Sequence, residues 1–105
     1  MTTAIEMKTI SPQQLREWQN SKKDFQLVDI REEHEIAENT IGGKHIPMDE
    51  VIARVSELRK DVPVVIHCRS GRRSDAVVYA LESKFELPNL YTLKGGIAAW
   101  LESAG

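Results

Sequence analysis

The 105-residue sequence lacks the features that mark several classes of protein. It contains one cysteine, which excludes an internal disulfide and gives no indication of an oxidising compartment. The N-terminal segment has no basic region followed by an apolar run, so we expect no signal peptide. No stretch of the sequence approaches the roughly 18 consecutive apolar residues that a membrane-spanning helix requires. These absences predict a cytoplasmic protein.

The charge of the chain has little overall bias. Fourteen Lys and Arg residues stand against sixteen Asp and Glu residues, so the formal net charge is −2 and no field favours nucleic acid or an anionic membrane. Arg69, Arg72 and Arg73 contribute +3, so the rest of the chain carries −5. The positive charge is therefore local, and it surrounds the single cysteine, Cys68.

Length and composition predict one globular domain over residues 1–105. Apolar residues make up 41% of the chain and charged residues 29%, which is typical of a folded domain rather than a disordered segment. The length allows a single modest core. We see no repeat, low-complexity tract or linker, and a monomer is the default expectation.

Short apolar segments alternate with helical patterns along the chain. Strands are predicted at residues 25–30, 62–68 and 90–93, with a very short strand after a turn at 41–47. Helices are predicted from residue 11, over 49–58, over 74–85 and over 95–103, with a short polar helix or turn at 31–38. This alternation predicts an α/β domain whose mainly parallel sheet is covered by helices on both faces.

Local signals indicate where these helices begin and end and which side chains they bury. Ser11 is a candidate N-cap, Pro12 occupies the first helical position, and Gln14 completes a capping box. Pro88 is expected to stop the helix over 74–85. The side chains expected to face inward are Leu15, Trp18, Val51, Val55, Leu58, Ile97, Trp100 and Leu101.

Cys68 ends a predicted central strand, at the edge where open α/β sheets bind ligands. A helix begins within a few residues, so the chain must turn tightly, and Gly71 can adopt a conformation that other residues avoid. Such a turn directs backbone N–H groups inward, and the helix adds its positive end. Together with the nearby guanidinium groups, these donors would hold the sulfur as a thiolate and attract an anionic substrate. A lone cysteine is more often a small buried apolar residue, but this combination favours a functional one.

The histidines and the acidic segment do not predict a second site. His67 and Cys68 are neighbours in a strand and point to opposite faces, so a protease-like pair is not expected, and His67 is interpreted as a hydrogen-bonded core or edge residue. His34 is expected to be exposed, and His45 lies in a turn without an assigned role. The wide spacing of these residues predicts no metal site. The acidic segment 31–35 is interpreted as an exposed helical face.

The segment HCRSGRRS (67–74) resembles the active-site loop of the rhodanese family, C-x-x-G-x-R-[ST]. The matching residues are Cys68, Gly71, Arg73 and Ser74. VDIREEHEI resembles the family's D-[VI]-R-x-x-x-E-[FY] segment, with matches at Asp29, Ile30, Arg31 and Glu35. LKGGIAAW resembles the terminal G-G-x-x-x-W, with matches at Gly95, Gly96 and Trp100. IGGKHIP is similar to a fourth stretch, G-H-I-x-G-A, in which Asn39 and Thr40 replace the Gly-His pair.

The resemblance implies a single-domain sulfurtransferase that needs no cofactor or metal. Cys68 would take sulfur from thiosulfate or another sulfane donor, carry it as a persulfide, and pass it to cyanide, a thiol or a protein acceptor. The substrate-binding residues that it implies are Arg69, Ser70, Gly71, Arg72 and Arg73, and the loop-supporting residues are Asp29, Arg31 and Ser74. Arg69 and Arg72 are the candidates for holding the anionic donor. Arg73 is expected to brace the loop through a carboxylate that the sequence does not identify.

Two other functions stay open at this point. Rhodanese-like domains can act as sulfur carriers or interaction modules, and the retained Cys68 argues only against an inert module. The other candidate is a cysteine phosphatase or arsenate reductase, but phosphatases have one more residue between cysteine and arginine. Four residues separate Cys68 from Arg73 here. Because each residue spans at most about 3.3–3.6 Å, the shorter loop is narrower and favours a single sulfur atom over a phosphate.

Overall fold

The computed structural model describes residues 7–103 and has a parallel sheet at its centre. The strands are β1 (Lys8–Ile10), β2 (Gln26–Asp29), β3 (Lys44–His45), β4 (Val64–His67) and β5 (Leu90–Leu93). Their spatial order is β1-β5-β4-β2-β3, and each neighbouring pair is parallel. The α-helices of the described residues are α1 (Pro12–Asn20), α2 (Glu33–Glu38), α3 (Arg72–Phe85) and α4 (Gly96–Glu102). The predicted α/β class is confirmed.

The first helix begins as its capping signals predict. The Ser11 hydroxyl accepts a hydrogen bond from the Gln14 N–H at 3.1 Å, and the Gln14 side chain accepts one from the Ser11 N–H at 2.9 Å. Pro12 occupies the first turn, where a missing N–H costs nothing. Leu15 is fully buried and Trp18 partly buried, so α1 covers one face of the sheet.

Strand β4 is buried along its whole length because helices cover both faces of the sheet. Val64 and Ile66 belong to the apolar cluster that includes Leu81 of α3, and Val65 belongs to the opposite cluster with Leu15 of α1. Burial of each such side chain contributes about 1.5–3 kcal/mol. These two clusters hold β4 in place from both sides. The carboxyl end of β4, and with it the start of the loop at Cys68, therefore has a fixed position.

The predicted helix over residues 49–58 is wrong. The segment forms two short 3₁₀ turns, Met48–Glu50 and Val55–Glu57, and Leu58 is already extended. Val51 and Leu58 are buried as expected, whereas Val55 is only partly buried. A 3₁₀ turn rises about 2.0 Å per residue against 1.5 Å in an α-helix, so the same residues cover more of the distance between β3 and β4.

One other helical prediction needs correction. Helix α3 begins at Arg72, within the interval from Arg72 to Ser74 in which a helix start is expected, and Gly71 is its N-cap. It ends at Phe85 with Glu86 in the left-handed conformation, before Pro88 is reached. In α4, Ile97 is buried and Trp100 partly buried, but Leu101 is 42% exposed instead of buried. Leu101 lies four residues from Ile97 on the same side of α4, but in the last turn of the helix it lines an open cleft instead of packing in the core.

Some predictions concern parts of the chain or properties that this structure does not test. Residues 1–6, which include most of the segment examined for a signal peptide, and residues 104–105 lie outside the described range. A single domain over 1–105, a monomeric state and a cytoplasmic location stay predictions. Within residues 7–103, the structure contains no helix with the length and hydropathy needed to cross a membrane.

Candidate active site

Cys68 lies at the carboxyl end of β4 and is 1% exposed. The cysteine loop, residues 68–71, leads from this strand into α3. The Cys68 Sγ accepts hydrogen bonds from the backbone N–H of Gly71 at 3.1 Å and of Ser74 at 3.4 Å. The sulfur is therefore surrounded by donors that the backbone itself positions, which is an arrangement that favours an anion at this point.

The tight turn of the cysteine loop depends on Gly71. Its φ of +104° lies in a region that L side chains rarely adopt, while a Cβ there would meet no atom closer than 3.7 Å. The requirement for glycine is therefore conformational rather than steric. Gly71 places its N–H toward the sulfur, and its carbonyl accepts a hydrogen bond from the Asp75 N–H at 2.9 Å in the first turn of α3.

The start of α4 holds the other side of the cysteine loop. The Ile97 N–H donates to the Cys68 carbonyl at 2.9 Å, and the Ala98 N–H donates to the Arg69 carbonyl at 3.0 Å. A Cβ on Gly96 would lie 2.4 Å from the Arg69 carbonyl oxygen, so only glycine allows this approach. Because these loop carbonyls point to α4, the N–H groups of the turn are free to point to the sulfur. The sequence offered Gly96 only as part of a family motif.

The carboxylate that braces Arg73 is Glu35 of α2. Two terminal guanidinium nitrogens donate to the two Glu35 oxygens at 2.8 Å each. The hydrogen bonds from Arg73 lower the pKa of Glu35 to about 2, and the same pair raises the pKa of Arg73. The interpretation of segment 31–35 as a merely exposed face is thus wrong at Glu35, whose side chain is 16% exposed.

Asp29 and Arg31 form a buried ion pair where β2 ends. The Arg31 Nη2 lies 2.8 Å from the Asp29 Oδ2, and each residue is 2% exposed. Burial raises the pKa of Asp29, but the hydrogen bonds and charge of Arg31, together with the nearby His67, outweigh it and the net shift is downward. Arg31 also donates to the side chain and the carbonyl of Asn39, which follows α2. The pair therefore ties β2 to the helix that carries Glu35.

The three histidines have different environments. His34 is exposed, as expected. His45 lies in β3 rather than in a turn, and its Nε2 contacts the Arg31 carbonyl at 2.6 Å. His67 is a core residue, as expected, but no hydrogen-bond partner for either ring nitrogen exists among the described residues. Burial lowers the pKa of His67, although the Asp29 carboxylate at 3.8 Å opposes this shift.

The rim of the cysteine loop is exposed and positively charged. Arg69, Ser70 and Arg72 all face solvent. Arg69 also lines a cleft of about 130 Å³ between α2 and α4, whose other walls include Glu38 and the exposed Leu101. The structure thus brings the predicted residues into two groups, a rim around the loop and a supporting layer of ion pairs beneath it.

Two polar residues beside the loop were not anticipated from the sequence. The Ser74 Oγ lies 2.7 Å from the Thr92 Oγ1 of β5, and the Thr92 hydroxyl donates to the Asp75 carboxylate at 2.8 Å. Ser74 is also the hydroxyl closest to the sulfur, at 3.7 Å. No motif marked Thr92 or Asp75, since strand and helix residues of these types are common on protein surfaces.

A parallel α/β sheet with a cysteine in the loop after its central strand defines the class of this protein. Residues 11–103 match the model of the rhodanese-like domain family, and the chain belongs to that family. The predicted family and fold are therefore confirmed.

Relatives of similar length support this assignment. A sulfurtransferase of Allochromatium vinosum is 42% identical over 80 residues, which are 74% of this chain and 73% of the relative. YtwF of Bacillus subtilis is 37% identical over 98 residues, or 91% of this chain and 92% of that protein. The crystal structure of a rhodanese-like domain protein from Staphylococcus aureus matches with a TM-score of 0.79 and 32% identity, covering 90% of this chain and 91% of that one.

Proposed function

We propose that this protein is a sulfurtransferase that carries sulfane sulfur as a persulfide on Cys68. The observation that carries the proposal is the position of the Cys68 Sγ, which accepts N–H donors from Gly71 and Ser74 within a loop rimmed by arginines. The sulfurtransferase name of the Allochromatium vinosum relative supports the same reaction class. Thiosulfate is the proposed donor, and cyanide or a thiol is the proposed acceptor.

The reaction has two displacement steps. The Cys68 thiolate attacks the outer sulfur of thiosulfate, the bond between the two thiosulfate sulfurs breaks, and sulfite leaves with the electron pair of that bond. The enzyme then holds a persulfide whose negative charge lies on the outer sulfur, and the backbone N–H groups of the loop would stabilise it as preorganised donors. In the second step cyanide or a thiolate attacks the outer sulfur, and Cys68 leaves as a thiolate.

The neighbouring residues divide into binding and supporting roles in this proposal. Arg69 and Arg72 hold the negative charge of the donor, because both guanidinium groups lie on the exposed rim. Ser70 and Gly71 contribute the backbone of the turn. Arg73 braces the start of α3 against Glu35, and Asp29 with Arg31 fixes the helix that carries this carboxylate. Ser74 contributes its N–H to the sulfur.

Phosphate chemistry is the less favoured alternative. A phosphatase of this type would need an arginine that is free to bind the oxyanion, but Arg73 already donates to both oxygens of Glu35. The loop is also one residue shorter than in phosphatases, so it offers less room. A sulfur carrier would form the same persulfide. It would differ from an enzyme only in that it does not pass sulfur to a small acceptor in repeated catalytic cycles.

Intact-mass spectrometry tests the proposal directly. Because Cys68 is the only cysteine, a gain of one sulfur in the mass of the whole protein can be assigned to this residue. We expect incubation with thiosulfate to add the mass of one sulfur atom, cyanide to remove it as thiocyanate, and Cys68→Ser to add none. Many turnovers with cyanide or a thiol indicate an enzyme, and a single transfer indicates a carrier. Failure of thiosulfate and polysulfide alike to load Cys68 would contradict the proposal, as would faster hydrolysis of aryl phosphates.

A further inference from the structure

A chain of hydroxyl groups connects the buried sulfur with the protein surface. The Cys68 Sγ lies 3.7 Å from the Ser74 Oγ, which lies 2.7 Å from the Thr92 Oγ1, which lies 2.8 Å from the Asp75 Oδ1. Cys68, Ser74 and Thr92 are at most 1% exposed, whereas Asp75 is partly exposed. The chain therefore begins at a reacting atom that water hardly reaches and ends at a carboxylate that water does reach.

The donors in this chain can be assigned from its far end. An ionised carboxylate only accepts hydrogen bonds, so the Thr92 hydroxyl must donate its proton to Asp75. Thr92 then has only lone pairs for Ser74, and the Ser74 hydroxyl must donate to Thr92. Ser74 has no second proton, so its oxygen faces the sulfur as an acceptor. The remaining donor in the chain is the Cys68 thiol.

The Gly71 carbonyl is the competing acceptor for the Ser74 proton, at 3.1 Å. If Ser74 donated there, the Ser74–Thr92 and Thr92–Asp75 contacts would share one proton, and one of these pairs of oxygens would repel. The Gly71 carbonyl also already accepts the Asp75 N–H at 2.9 Å. The shorter contact to Thr92 therefore determines the orientation of the Ser74 hydroxyl.

We propose that Thr92 and Asp75 are positioning residues for Cys68, because they orient the Ser74 hydroxyl to accept the proton of the thiol. The proton of Cys68 moves to the Ser74 Oγ, the Ser74 proton moves to the Thr92 Oγ1, and the Thr92 proton moves to the Asp75 Oδ1. One S–H bond breaks, one carboxyl O–H bond forms, and Asp75 returns the proton to water. The thiolate keeps its two N–H donors from Gly71 and Ser74. This inference rests on the proposed function, in which that thiolate is the nucleophile.

The test variants keep all the other charged groups that lie near the sulfur. They are Arg69 and Arg72 on the rim, Arg73 with its partner Glu35, and His67 beside Asp29. The side facing α4 presents the backbone N–H of Ile97 to the Cys68 carbonyl. Within residues 7–103 no cation forms an ion pair with Asp75, so its carboxylate is available to Thr92.

The test is the pH profile of the exchange of the Cys68 S–H proton with D₂O, followed by the S–H stretching band in the infrared, because this rate depends on the path that the proton takes. Thr92→Val has nearly the same shape but no hydroxyl, and Asp75→Asn keeps an acceptor for Thr92 while removing the base. In mildly acidic buffer, where hydroxide is scarce, we expect the thiol proton of both variants to exchange roughly 10-fold more slowly than that of the wild type, because one hydrogen bond of the path or its terminal base is missing. In strongly alkaline buffer all rates should converge, because hydroxide removes the thiol proton directly. The matched control Thr92→Ser keeps the hydroxyl and should follow the wild type.

Two results would overturn the inference. One is a Thr92→Val profile that coincides with the wild type at every pH. The other is an equal slowing of Thr92→Val and Thr92→Ser that persists in alkaline buffer, which would indicate a packing role. If Thr92→Val does not fold, Asp75→Asn at its partly exposed position decides the question alone. Thiosulfate loading is measured separately, so a shifted exchange profile without sulfur loading would support the relay and contradict the proposed function.

Discussion

At the scale of single residues, the arginines around the cysteine loop fall into two kinds. One is paired with a carboxylate and supports the loop, and the others are exposed to solvent. Arg73 is the second residue after the loop, yet its guanidinium pairs with Glu35 and not with the sulfur. Two charge-assisted hydrogen bonds of this bidentate kind are strong and direction-specific. Arg69 and Arg72 are exposed instead. Neighbouring arginines in one short segment thus have different physical tasks.

The Glu35–Arg73 pair can be tested by removing one charge. Glu35→Gln should lower the free energy of unfolding by about 1–3 kcal/mol, because the guanidinium loses a charged acceptor. Sulfur loading of Cys68 should slow as the start of α3 becomes less fixed. The measurements are urea unfolding and the rate of mass gain with thiosulfate. Glu33→Gln, at an exposed position of the same helix, is the control, and equal behaviour of the two variants would contradict a bracing role.

At the scale of elements, the site is assembled where the segments after β2, β4 and β5 meet. Helix α3 begins at the cysteine loop, and the first turn of α4 closes the loop from the other side. The backbone N–H groups of Ile97 and Ala98 in α4 donate to the carbonyls of Cys68 and Arg69. The shape of the cysteine loop therefore depends on how closely the α4 backbone can approach it.

A pair of glycine substitutions measures this approach. Gly96 and Gly42 both have positive φ, at +63° and +87°, but only at Gly96 would a Cβ meet the loop backbone, and at Gly42 it would meet nothing within 4 Å. We expect Gly42→Ala to cost about 1 kcal/mol of stability from backbone strain and to keep full sulfur loading. Gly96→Ala should cost more and should abolish most loading, because the Arg69 carbonyl must move. Normal loading by Gly96→Ala would show that the close approach is dispensable.

At the scale of the whole molecule, stability depends on pH through ionisable groups whose pKa values the fold lowers. Burial lowers the pKa of His67, and the pKa of both Asp29 and Glu35 is also lowered. Below the ordinary histidine value of 6.5 the unfolded chain therefore binds a proton at His67 that the folded protein resists. Stability must fall as the pH falls from there, and it falls further once the two carboxylates also take up protons on unfolding.

The pH dependence of unfolding tests the histidine contribution. Between about pH 6.5 and 5.5 the free energy of unfolding should fall by about 1 kcal/mol, since one proton contributes up to about 1.4 kcal/mol per pH unit. His67→Phe should remove most of this slope, and His34→Gln, at an exposed position, should retain it. Urea unfolding at several pH values provides the measurement. A wild-type stability that is constant over this interval, or an unchanged slope in His67→Phe, would contradict the argument.

Short-range sequence signals predicted a large part of the fold. The capping box of Ser11 and Gln14, the apolar run of β4 and the turn at Gly71 each depend on residues that are close in the chain. Such signals act through backbone conformation and side-chain burial that neighbouring residues control. The same reasoning placed Cys68 at the carboxyl edge of the sheet, and the four-residue interval to Arg73 distinguished its loop from that of a phosphatase.

What the sequence determined by itself was the alternation of strands and helices after β1, apart from segment 49–58, together with the family and the position of the single thiol. Tertiary structure decided the partners of that site: Glu35 lies 38 residues from Arg73, Thr92 lies 18 residues from Ser74, and Gly96 meets the Arg69 carbonyl across the loop. It also decided that residues 49–58 form 3₁₀ turns and that Leu101 stays exposed. The physical reason is that these contacts depend on the spatial order of the strands and the packing of α2 and α4. Neither is encoded in the residues next to each position, and both arise only when the sheet has assembled.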